Sequence, residues 1–462
     1  MSQSNAPIVA QHTSCQVENE LQNQVFRGIP RLSRYNACVG DNGYPNIYYY
    51  AEGFAKAVFS LIDNVIMNDL SSLDTSIYPI CFNVRHSVEL YLKALWEQLS
   101  KIADFKNVRL QQPSVNNREY DILKLHDIGI IWSGVKSNAA ILDRRFRPIL
   151  DTLDFLIMCI HQVDPTGQTF RYSYDMETKV KHLVPVAVIN IINLREQFTK
   201  IKSSLEELKT LSLYMCYEYS MGTFTHNLSR YDIGNIAQRL PIRERWQDDE
   251  LWRVRDDVIA EYGISKKEFS YALTKIEELH DFSFFIGVEK EPLGLSEKDI
   301  FKFIDIWSVR NDINEWRESL ISALDESKQL DDGIELNFSD GGAIFDSMMA
   351  DLDKNREAFG KFSGFATPDI IAGAIALYEF RGCSFSEEYM GIYNERFEYF
   401  MDCYTEGGER WMTAMKNAWS EYFESSYFVQ RIIISLRMLN MKSSALALER
   451  YCMVEGLIPQ TN

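Results

Sequence analysis

Along most of this chain, apolar and polar positions recur at helical spacing. Residues 47–67, IYYYAEGFAKAVFSLIDNVIM, set bulky apolar side chains at helical intervals and predict a first helix. After the break NDLSSLDTSIYP, a second helix is predicted over 79–102, antiparallel to the first. On a helix turning about 100° per residue, Val84, Val88, Tyr91, Leu92, Leu95 and Leu99 form one apolar stripe. Arg85, His86, Glu89 and Lys93 fall together in an arc beside it. This polar arc is the best candidate site in the sequence, and it is expected at a concave surface or a self-association interface.

The pattern continues through a polar insertion, VRLQQPSVNNREYD, into LKLHDIGIIWSG. Residues 139–163 then predict another helix, in which Pro148 marks a kink or the first turn. The loop DPTGQTFRYSYD closes this unit, and 184–219 predicts a long final helix or connecting spine. In the second half, Thr367-Pro368-Asp369 is a strong helix start. Ser265 with Glu268, and Ser296 with Asp299, fit capping boxes. The stretch LDDGIELNFSDGGAIFD predicts a loop, a hairpin or an internal boundary. The expected fold is all-α: a polar lead over 1–44, a helical bundle over 45–221 and a helical domain over 222–462.

Composition narrows the function. A chain of 462 residues with 46% hydrophobic content exceeds the span of one core, about 250 to 300 residues, so two domains are expected. A net charge of -18 opposes broad coating of nucleic acid or anionic lipid. The eight cysteines are dispersed without a CxxC pair, as expected for reduced thiols in the cytoplasm. The opening residues lack the basic start and apolar run of a signal peptide, and no apolar run reaches membrane-spanning length. The seven histidines include no HxxxH or HxH pair, so no metal is expected. GxxxxGK[ST], GxGxxG and GxSxG are absent, and no cofactor is expected.

The series FNVRHSVELYLKALW, then LKLHDIGIIW, then FRYSYD, resembles the HEPN superfamily of helical-bundle domains over residues 47–180. The motif positions are Glu89, Lys93, His126 and Asp127. The resemblance implies one of several roles, since many such domains are ribonucleases of toxin and phage-defence systems and others are nonenzymatic partners or nucleotide-binding modules. HEPN ribonucleases typically carry Arg and His five residues apart. Here Arg171 is followed at that distance by Met176, and Arg310 by Glu315. The adjacent Arg85 and His86 offer a substitute, with Arg85 holding a phosphate, His86 moving a proton, and Glu89 or Lys93 tuning it. The competing reading is an ion-pair ladder in which Arg85, Glu89 and Lys93 pair one turn apart while His86 packs. His126, Asp127 and Arg171 form a second group, completing a polar pocket, or else Asp127 caps the next helix.

The function expected from these features is a cytoplasmic HEPN-like interaction or regulatory protein in bacterial phage defence or RNA targeting. Its partner is another protein or a second copy, with RNA left open. The alternative is a metal-independent ribonuclease using Arg85 and His86. A third reading places a helix-turn-helix at 257–278, with Ala260 packing, Gly263 at the turn and Lys266, Lys267 and Lys275 as its bases. Neighbouring acids count against DNA. Arg239, Arg243 and Arg245 are expected on a solvated edge.

Overall fold

The computed structural model of the chain describes residues 25–43, 46–115, 118–175, 178–326 and 341–454. The fold is all-α. The first helices are α1 (Ile47–Met67), α2 (Leu73–Phe105), α3 (Ile128–Leu142), α4 (Arg147–Val163) and α5 (Ile191–Ser220). There follow α6 (Arg230–Arg239), α7 (Asp249–Tyr262), α8 (Lys266–Glu278), the single turn α9 (His280–Ser283), α10 (Glu297–Trp307) and α11 (Ile313–Glu326). The last six are α12 (Gly341–Ser363), α13 (Pro368–Glu379), α14 (Ser386–Glu406), α15 (Gly408–Ala418), α16 (Phe428–Met438) and α17 (Lys442–Tyr451). A two-residue antiparallel ladder, Ser114–Val115 with Arg118–Glu119, interrupts the insertion after α2. No described helix is long and apolar enough to cross a membrane.

The chain forms two compact units, each assembled from separated stretches. The first contains Met1–Glu97, Gln112–Ser137 and Arg147–Lys209; the second contains Gln98–Gln111, Asn138–Phe146 and Thr210–Asn462. The cut expected after residue 221 therefore falls inside the second unit. Of the expected polar lead, residues 1–24 lie outside the described residues. Residues 25–43 carry two exposed 3-10 turns, Pro30–Tyr35 and Gly40–Asn42.

In the first unit, α1 buries Ala51, Ala55, Val58, Ile62 and Val65. Their alternating four-and-three spacing holds one stripe on the helix face. Asn46 fixes its start, its side chain accepting from Tyr48 N at 2.8 Å. Helix α2 starts six residues before the expected position and continues through Pro79. That proline removes one bond from the ladder, but Ile80 and Cys81 directly after it are buried and packing holds the turn. From Tyr91 to Trp96 every α2 side chain is buried, which marks a central helix and not a surface one. The helix expected over 139–163 is instead two, α3 and α4, separated by a turn at Asp143 to Phe146, with Pro148 in the first turn of α4. The expected spine over 184–219 begins only at Ile191, because Asn190 Oδ1 accepts from the Ile192 and Asn193 amides and caps α5.

In the second unit, one core gathers α6 to α9 around Ile233, Val258, Phe269, Ala272 and Ile276. A larger one gathers α10 to α17, with Phe303, Trp307, Phe362, Ile375 and Phe423 at its centre. The expected caps form. Ser265 with Glu268 and Ser296 with Asp299 make complete capping boxes, and the Thr367 side chain accepts from Ile370 N. The loop expected over 330–340 lies outside the described residues, and Gly341 and Gly342 begin α12.

Candidate functional site

Helical geometry places Arg85, Glu89 and Lys93 one turn apart on α2, and the fold turns this face inward. Arg85 is 2% exposed and Glu89 3%. The Arg85 guanidinium pairs through Nη1 with Glu89 and donates through Nη2 to the His126 carbonyl. It also donates from Nη2 to Pro165 O at 2.9 Å and from Nε to Asp164 O at 3.3 Å. Pro165 O additionally accepts from Ile128 N at 2.9 Å. Arg85 thus ties α2 to the start of α3 and the end of α4. The chain passes this clamp at Gly167, where φ is +80° and an added Cβ would lie 3.1 Å from Arg85 Nη1.

Glu89 is the shared acceptor of the cluster. Lys93 Nζ lies 2.8 Å and His126 Nδ1 3.0 Å from Glu89 Oε1. Burial alone raises the Glu89 carboxyl, but the hydrogen bond from Lys93 and the charges of Arg85 and Lys93 outweigh it. The group is held below the usual glutamate range. The ion-pair ladder read from the sequence is therefore present, and the polar arc expected at a concave surface is mostly buried within the first unit.

His86 is half-buried between rings. Phe54 meets it edge-on with centroids 4.5 Å apart, and Phe82 stacks at 5.4 Å. Burial pushes the imidazole below its usual range; Glu89 opposes this, while Arg85, Lys93 and His126 reinforce it. A ring stacked in this way between two phenyl groups packs as an aromatic side chain.

His126 presents its ring to solvent, with a side chain 71% exposed, while Nδ1 rests on buried Glu89. It joins the α2 cluster as the sequence expects. Asp127 does two things: Oδ1 caps α3 by accepting from Gly129 N at 2.9 Å and Ile130 N at 3.0 Å, and it lies 3.4 Å from His161 Nδ1. No motif or spacing in the sequence marks His161; its place is set by Gly129, whose missing side chain admits the ring. Arg171 stands apart from this group. Its guanidinium lies 5.7 Å from the Phe82 ring and 5.2 Å from the Tyr172 ring, on a loop that lines a separate cavity.

The helix-turn-helix segment does form a hairpin. Helix α7 ends at Gly263 in left-handed geometry, and α8 opens on the Ser265 cap. Of its bases, Lys275 is bound to Glu278 at 2.8 Å, while Lys266 and Lys267 are exposed. Arg239 pairs with Glu261 and Arg243 with Glu277, and Arg245 reaches Asp248 and Glu250, as suits a solvated edge. No three His, Cys, Asp or Glu side chains gather as a metal site among the described residues. No protein family, curated protein or solved structure matches the chain.

Proposed function

We propose that this chain is a HEPN-like interaction or regulatory protein that works by binding and not by cleaving RNA through Arg85 and His86. One observation carries the reading: Arg85 spends its donors on Glu89 and on the carbonyls of His126, Asp164 and Pro165. A guanidinium has five N–H donors, and one engaged in this way inside the protein has no fork to offer a phosphate. The HEPN relationship, a cytoplasmic setting, phage defence or RNA targeting, and a protein or second-copy partner all belong to this proposal.

A second reading rests on a different observation. An exposed imidazole backed by a buried carboxylate, His126 on Glu89, is the arrangement that fixes a tautomer for acid–base work. Labelled RNA and DNA incubated with highly purified full-length protein separate these readings, with oligomeric state followed by light scattering. The binding reading expects no cleavage by the wild type. Specific cleavage lost in His126→Ala, with folding and oligomeric state intact, would replace it with the second reading. Cleavage lost in both Arg85→Ala and His86→Ala with folding intact would restore the adjacent pair.

A further inference from the structure

Two cavities in the first unit share a wall. One, of about 530 Å³, is lined mainly by apolar side chains of α2, α4 and α5, among them Val84, Leu156, Ile160, Leu194, Phe198 and Ile201. The other, of about 660 Å³, is lined by Arg171, Lys181 and His182. Phe170, Val186 and Ile189 line both. Each volume falls in the range that holds a small molecule, roughly 300 to 1,000 Å³.

Two charged side chains line the apolar cavity, Arg85 and Asp164, and one oxygen of the latter, Asp164 Oδ2, is buried with no hydrogen-bond partner among the described residues. Arg85 is clamped as described, and Asp164 Oδ1 accepts from Gly167 N at 2.9 Å and Thr169 N at 3.1 Å. In the second cavity Arg171, Lys181 and His182 stand together in a chain of net charge -18, and among the described lining residues Asp74 is the one acid. The loop is built to hold them there. Asp175 N bonds Val180 O at 2.9 Å, His182 N bonds Ser173 O at 3.1 Å, and Tyr174 bridges Lys181. Lys179 and Leu183, which bracket Lys181 and His182, both adopt φ of 58°, a conformation that non-glycine residues enter at a cost. His182 Nε2 is buried and has no hydrogen-bond partner among the described residues.

We infer that these two adjacent cavities together form a binding site for an amphiphilic anion. Its unbranched apolar tail lies along α2, α4 and α5, and its carboxylate or phosphate head meets Arg171, Lys181 and His182. This inference stands independently of the HEPN reading, since it uses neither Glu89 nor His126.

Calorimetric titration of the full-length protein with octyl, decyl and dodecyl phosphate, each below its micellar concentration, tests it. Affinity should rise about fourfold per added methylene until the chamber is full. Arg171→Gln and Lys181→Gln, both at exposed positions, should each weaken dodecyl phosphate about tenfold and leave dodecanol unchanged. Tighter binding of dodecanoate than of dodecyl phosphate assigns a carboxylate head, and the reverse a phosphate. Inorganic phosphate binding as tightly as dodecyl phosphate, dodecanol binding as tightly as the anions, or no binding by any probe, overturns the inference.

Discussion

Glu89 and Lys93 face each other one helical turn apart at 2.8 Å, both buried in the first unit. The same carboxylate also answers Arg85, so removing it strands two cations in the interior. Glu89→Gln should destabilise the protein by about 3 to 5 kcal/mol at neutral pH, the usual cost of breaking a buried pair from one side. Because the folded Glu89 carboxyl sits below its usual value, its stabilisation is complete above about pH 4.3 and is lost as pH falls through the lower, folded value. Urea titrations should therefore show the gap between wild type and Glu89→Gln narrowing in acid. A gap that persists unchanged at low pH contradicts the assignment.

His86 sets an opposite kind of demand. Its ring is kept below the usual histidine value by burial between Phe54 and Phe82, so below about pH 6.5 the unfolded chain takes up a proton that the folded chain resists. Stability should fall as pH drops through about 6.5 toward the lower, folded value. His86→Phe keeps an aromatic ring and removes the proton site, so the fall should be smaller in that variant, with no loss at neutral pH. Buried His280 in the second unit is pushed the same way and accounts for slope that remains. Parallel wild-type and His86→Phe profiles would show that His86 is solvated.

The apolar face of α2 can be tested directly. Leu92 and Leu95 are buried, and Glu97 is only partly so. Leu92→Asp or Leu95→Asp should cost several kcal/mol, about 3 to 5. Glu97→Gln should shift the thermal midpoint little. Equal small shifts in all three variants would mean that the face is wrongly placed.

These residues also show what the sequence carries. The α1 bounds are legible because Asn46 caps a helix whose buried positions recur at helical spacing, and local rules suffice there. The Arg85–Glu89–Lys93 ladder is legible for the same reason, since its partners lie one turn away. What Arg85 does is not legible, because the carbonyls that engage it belong to His126, Asp164 and Pro165, 41 to 80 positions along the chain. Nothing in the α2 pattern distinguishes a polar arc facing solvent from one facing a backbone turn. The cavity-lining loop escapes for a related reason: the apolar run at 184–190 reads as the start of α5, while the Asn190 cap delays the helix.

Gly129 and His161 give the final test, one that separates packing from chemistry in the second polar group. A Cβ on Gly129 would sit 2.7 Å from His161 Cε1 and Nδ1, in the first turn of α3. Gly129→Ala gains helix propensity, worth about 1 kcal/mol in an open site, but it must displace an imidazole that also approaches Asp127. The displacement should dominate, leaving the variant less stable by about 1 to 3 kcal/mol. Combining it with His161→Ala removes the obstacle, so the double variant should be more stable than Gly129→Ala alone, a positive coupling read from urea denaturation of all four proteins. Additive effects would mean that the ring moves aside freely and that His161 is not held against α3.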